Sequence, residues 1–114
     1  MKTSVTARHF DLSTQVHDHA ISAMEGLEKY FDRIVDAHII LVKENNRWRA
    51  EARIGVPGET LTAESEGEQL FNAIDDVSAK TERQLKKYKA KVSHERDRRS
   101  MQKLNSERPE IRQE

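Results

Sequence analysis

The chain contains no cysteine, which excludes a disulfide framework and thiolate zinc sites and fits a reducing compartment. Aromatic residues make up only 5% and apolar residues 35% of its 114 positions, so one modest core must be shared among a few elements. A deep catalytic cavity is not expected. No apolar run approaches the ~18 residues of a membrane span, and the opening MKTSVTARHF lacks the apolar stretch of a secretion signal. The expectation is a soluble, cytoplasmic chain. Proline is scarce, and none occurs between Pro57 and Pro109, which leaves room for one long helix.

Net charge is also absent, 20 Lys/Arg against 20 Asp/Glu, but the two signs are segregated. Residues 1–79 carry 8 Lys/Arg and 14 Asp/Glu, residues 80–103 carry 10 and 3, and residues 104–114 carry 2 and 3. A basic block inside a neutral chain points to a local anionic partner, because a binding site feels charges within a Debye length of about 8 Å.

Residues 2–7 alternate around Val5 with Thr3 and Thr6 and read as a first strand. Ser13 or Thr14 can cap a helix whose apolar positions, Val16, Ala20, Ala23, Met24, Leu27, Tyr30 and Phe31, recur at three and four residues and which should stop near Arg33. Ile39 to Val42 is a second strand ending at the turn pair Asn45-Asn46. Trp48, Ala50, Ala52, Ile54 and Val56 then alternate with Arg47, Arg49, Glu51 and Arg53, a half-solvated third strand in which Trp48 reads as core. Pro57-Gly58 predicts a hairpin into Leu61, Ala63 and Ser65, and from Gly67 onward Leu70, Phe71, Ile74, Val77, Thr81, Leu85, Tyr88 and Val92 trace a long amphipathic helix. The order β-α-β-β-β-α closes a two-layer α+β sandwich, a four-stranded sheet with both helices on one face. This domain covers residues 1–92. Residues 93–114, with only Met101, Leu104 and Ile111 as large apolar side chains, read as a charged tail of frayed helix and disorder.

On the last helix Lys80, Arg83, Lys87 and Lys91 repeat at three and four residues and line one edge, flanked by Lys86 and Lys89. Such a ridge beside Tyr88 suits phosphate-backbone contact, since Lys and Arg reach oxygens spaced along a strand without reading bases. A solvated helix face is the competing reading. Only Glu82 lies between Lys80 and Lys91, so neutralisation within the helix is scarce. His17 and His19 sit two apart on a helix and point in different directions, which disfavours a metal site. The acidic group Glu64, Glu66 and Glu68 lies where negative charge favours a helix N-terminus. No phosphate-cradling glycine loop, nucleophile elbow or paired-histidine zinc motif occurs, so no enzyme and no cofactor is expected.

Two stretches carry more than physical pattern: LEKYFDRI, Leu27 to Ile34, and AESEGEQLFNAIDDVSAKTERQLKKYKAKV, Ala63 to Val92. They resemble the ribosome hibernation-promoting factor and ribosome-associated inhibitor family, and AHIILVKE, Ala37 to Glu44, is similar to that family's second strand. The resemblance implies a fold like double-stranded RNA-binding domains and a role in stress or stationary phase. The implied site is the small-subunit channel for messenger and transfer RNA, in contact with 16S rRNA, where the domain inhibits translation by occupancy. It implies no small-molecule substrate and no membrane partner. The family's basic positions correspond to Lys80, Arg83, Lys86, Lys87 and Lys91, with Arg33 closing the first motif; a cation near a helix C-terminus is an equally simple account of Arg33. Five neutralised phosphates would make affinity fall roughly 100-fold for a fourfold rise in salt. With no second, dimerising domain in the sequence, a short form is expected, a monomer off the ribosome. Its long tail is like that of inhibitor-type members, but the basic SHERDRRSMQK, Ser93 to Lys103, departs from their acidic pattern and leaves the effect on ribosome pairing open. A generic double-stranded RNA-binding module and a charged protein adaptor are the alternatives.

Overall fold

In a computed structural model the backbone elements are described for residues 1–106 and the side chains for residues 1–93. Strand β1, Lys2–Arg8, leads through helix α1, Thr14–Glu25, and a 3₁₀ turn, Gly26–Lys29, to β2, Asp36–Glu44. Strands β3, Arg47–Val56, and β4, Glu59–Gly67, follow as a meander, and helix α2 spans Leu70–Ser106. The sheet order is β1-β2-β3-β4. β1 runs parallel to β2 with Val5 opposite Ile39, and the other two pairings are antiparallel, with Ala52 opposite both Ile39 and Ala63. The expected β-α-β-β-β-α sandwich is thus the observed fold.

Period-two alternation sends Ala37, Ile39 and Leu41 of β2, Ala50, Ala52, Ile54 and Val56 of β3, and Leu61 and Ser65 of β4 to the helix-covered face, where all are buried. Met24 of α1 and Ile74, Val77 and Leu85 of α2 fill the same cluster. The turns suit their residues. Gly58 takes φ +87°, a region that strains other L-residues, and Asn45 takes φ 54°, which asparagine tolerates. Ile40 and Val42 point to the other face yet are also buried. They stand in register between Thr6 and Arg8 of β1 and Glu51 and Arg49 of β3, so a central strand flanked by long side chains on its open face carries an unbroken apolar run.

The first helix is shorter than its periodicity suggests. The side chain of Ser13 accepts a hydrogen bond from the Val16 N–H at its start, but regular α-helix ends at Glu25. Gly26, a weak helix former, begins the tighter turn, closed by Tyr30 N–H to the Leu27 carbonyl at 3.0 Å. Leu27, Phe31 and Ile34 still reach the core, from the turn and the loop after it. Phe71 also departs from expectation: it is 42% exposed and sits edge-on to His19, with centroids 4.9 Å apart. Trp48 is half-buried at the core margin, edge-to-face with Phe10 at 4.8 Å. Helix α2 continues through the first part of the segment expected as tail; the side chains from residue 94 and the stretch 107–114 lie outside the described residues.

Candidate nucleic-acid interface

Helix α2 lies along the β4 edge of the sheet, and its side chains hold that edge. Lys80 Nζ donates to the Glu64 carbonyl at 2.9 Å, Gln84 Nε2 to the Thr62 carbonyl at 3.1 Å, and the Tyr88 hydroxyl to the Pro57 carbonyl at 2.7 Å. Residues four apart on a helix are separated by about 6 Å along its axis, and residues two apart on a strand by about 6.7 Å, so the first two donors match alternate carbonyls of β4. The buried Ser65 hydroxyl donates to Asp76, whose carboxylate also lies 3.8 Å from Lys80.

The same junction forms a groove. A hollow of about 410 Å³ is lined by Ala63, Glu64, Lys80, Arg83, Gln84 and Lys87. A second, of about 180 Å³, is lined by Glu59, Leu61, Gln84, Lys87, Tyr88 and Lys91. Gln84 and Lys87 belong to both, so the two form one trough about 16 Å long from Lys80 to Lys91. Lys91 stands 3.7 Å from Glu59. Arg83 and Lys87 have no carboxylate within 4.0 Å among the described residues, and both are exposed. Two uncompensated cations between two loosely paired ones make the trough a ready acceptor of phosphate oxygens.

The other two predicted contacts stand elsewhere. Lys86 projects from the opposite flank of α2, 2.9 Å from Glu82 and 5.1 Å above the Tyr30 ring. The Lys86 ammonium holds the Glu82 carboxyl below its usual range, with the Tyr30 hydroxyl adding to the effect, and Glu82 in turn raises Lys86. Arg33 stacks over Phe31 at 5.4 Å, and Phe31 meets Tyr88 edge-on at 5.3 Å. Arg33 thus reaches the Tyr88 end of α2 through two rings without lining the trough.

Sequence reasoning missed Gln84 and the counter-ions Glu59 and Asp76. The i,i+4 spacing of Asp76 and Lys80 was a usable signal; Glu59 had none, because its role depends on which strand lies beside α2. Two of the acidic group before α2 do not serve the helix N-terminus. Glu64 and Glu66 point across the strand pair to Arg49 and Arg47 at 3.6 and 3.8 Å, and the first turn of α2 holds no acidic residue. Glu44 lies 3.2 Å from Arg49 and Glu51 3.2 Å from Arg53, so the open face of the sheet is largely self-neutralised. His17 and His19 turn to different partners, Asp18 at 3.1 Å and Asp75 at 2.7 Å. Among the described residues no helix is long and apolar enough to cross a membrane.

Comparison with known proteins places this geometry in a family. The chain is similar to the ribosome hibernation promoting factor of Pseudomonas putida, 30% identical over 91 residues that cover 80% of this chain and 89% of that protein. It is similar also to that of Klebsiella oxytoca, 32% identical over 92 residues, 81% of this chain and 97% of that one. Among solved structures, a ribosomal subunit interface protein from Coxiella burnetii superposes with a TM-score of 0.74 at 27% identity, over 79% of this chain and 99% of that one. The model of one family, described as sigma 54 modulation protein / S30EA ribosomal protein, matches residues 3–93, the whole sandwich from β1 into α2, and the chain belongs to that family.

Proposed function

We propose that this chain is a ribosome hibernation factor of the cytoplasm: it binds the small ribosomal subunit in the channel for messenger and transfer RNA and silences translation by filling it. The observation that carries the reading is the trough of four cations, Lys80, Arg83, Lys87 and Lys91, on a domain whose relatives carry that name. Phosphate contacts to 16S rRNA would hold the domain in place, and the rigid sandwich would exclude the ligands that normally occupy the channel. No bond is made or broken in this mechanism. The role in stress or stationary phase follows from the same reading, since a factor that occludes the channel is useful only when synthesis must stop.

Reversing Arg83 and Lys87 to Glu tests it. Both side chains are exposed and neither makes a hydrogen bond or ion pair among the described residues, so the far-UV CD spectrum should be unchanged while co-sedimentation with small subunits is lost. A variant that sediments with subunits as the native chain does would refute the assignment.

A further inference from the structure

The free edge of β4 carries hydrogen-bond donors as well as the carbonyls that α2 closes. Pro57 and Gly58 form a two-residue turn, with Val56 opposite Glu59. A hairpin of that kind closes on a pair that exchanges both backbone hydrogen bonds, and such pairs recur at every second residue. Leu61, Ala63 and Ser65 therefore bond to β3, while Thr60, Thr62, Glu64 and Glu66 turn both N–H and carbonyl outward. The bonds from Gln84 to the Thr62 carbonyl and from Lys80 to the Glu64 carbonyl agree with that parity.

Along the edge the groups run in the order Thr62 carbonyl, Glu64 N–H, Glu64 carbonyl. Gln84 caps the first at 3.1 Å and Lys80 the last at 2.9 Å. Between them the Glu64 N–H meets no acceptor among the described residues. The hollow of about 410 Å³ is lined by Ala63 and Glu64, the two residues of the peptide that carries this N–H, and by Lys80, Arg83, Gln84 and Lys87. The Glu64 carboxylate is held by Arg49, 3.6 Å away. One fixed donor thus stands between two capped carbonyls, in the same hollow as two cations that pair with no carboxylate among the described residues.

From this we infer that the main-chain N–H of Glu64 is a phosphate-binding group of the trough, donating to an oxygen of an RNA phosphodiester whose charge Arg83 and Lys87 balance. The inference rests on the rRNA-binding reading and adds to it a donor that belongs to the backbone. Lys and Arg side chains swing, whereas a strand N–H is fixed by its sheet, and the edge of a sheet can form an anion-binding concavity. Glu64 therefore sets where along the trough one phosphate sits. Lys80 and Gln84 act here as positioning residues, because uncapped carbonyls on either side would repel the same oxygen.

Glu64→Pro tests this, by co-sedimentation of the full chain with small subunits over a salt series. Proline deletes the N–H, and an outward-facing N–H on an edge strand is where a sheet tolerates that loss. Binding should weaken at least about tenfold, as for one hydrogen bond to a charged group, with the salt slope unchanged because no cation is lost. Glu64→Gln keeps the N–H and should bind at least as tightly as the native chain. Glu66→Pro makes the same change at an outward N–H whose peptide lines neither hollow, and should bind as the native chain does. Native affinity in Glu64→Pro overturns the inference, as does an equal loss in either control or a flattened slope. Should Glu64→Pro fail to fold by far-UV CD, a semisynthetic chain with an ester in place of the Ala63–Glu64 amide removes the donor without a ring, and native affinity there overturns the inference equally. Failure of the ribosomal reading is a different result, in which the native chain itself does not sediment with subunits.

Discussion

A salt titration of subunit binding separates the trough from the rest of α2. Four cations in contact with phosphate give log affinity against log salt a slope of about −2.8, at about 0.7 per contact, so a fourfold rise in salt weakens binding about 50-fold. Lys80 and Lys91 already share charge with Asp76 and Glu59 at 3.8 and 3.7 Å, in exposed pairs that exchange partners cheaply. Arg83 and Lys87 have no such partner among the described residues and carry at least their full share. Arg83→Gln/Lys87→Gln should therefore flatten the slope to about −1.4, a loss of about sevenfold over the same salt range. Lys86→Gln, on the other flank and already paired with Glu82, should leave the slope where it was. Co-sedimentation of labelled protein with small subunits at three or four potassium chloride concentrations measures all three slopes. An unchanged slope in the double variant, or an equal flattening by Lys86→Gln, would refute the assignment of phosphate contact to the trough.

Two further expectations concern the scaffold. Leu85 is fully buried between the trough and the core, so Leu85→Ala should cost about 2–5 kcal/mol in urea unfolding, and a loss below about 1 kcal/mol would contradict its place in the packing. Glu82→Gln should lower the thermal midpoint slightly at neutral pH. Because Glu82 is held below its ordinary 4.5, its contribution is present above that value and disappears as pH falls through the depressed one. Lys86, raised above 10.5, contributes below that value and loses its share only as pH rises through the raised one. Native and variant melting curves should therefore converge in acid, and a gap that persists there would assign the effect to packing rather than to the ion pair.

The fold was legible because each element declares its period. Trp48 to Val56 alternates cleanly since β3 has one solvated face, and its charged positions are the ones found on the open side of the sheet. Two errors share a cause. Tyr30 and Phe31 continue the three- and four-residue rhythm of α1, yet Gly26 tightens the chain into a 3₁₀ turn, because rhythm reports burial and not the hydrogen-bond pattern that delivers it. Phe71 fits the rhythm of α2 but turns to its α1 flank, where it meets His19, while Leu70 beside it packs against the core. Local pattern carries no information about where a neighbouring element ends.

The candidate site was half legible for a related reason. Spacing places Lys80, Arg83, Lys87 and Lys91 on one edge of a helix, and the trough is that edge seen against β4. Spacing cannot say which neighbour the edge meets, and so it could not separate Lys86 or supply Glu59. It also hid a double duty. An outer strand with unpaired carbonyls is a template for aggregation, and α2 closes two carbonyls of β4, those of Thr62 and Glu64, with Gln84 and Lys80. The wall of the trough and the protected edge are therefore one structure. Replacing Lys80 would release a strand carbonyl and Asp76 together, so loss of binding in a Lys80 variant would mix two causes. Arg83 and Lys87 make no hydrogen bond or ion pair among the described residues, so their removal is the cleaner test of the proposed RNA contact.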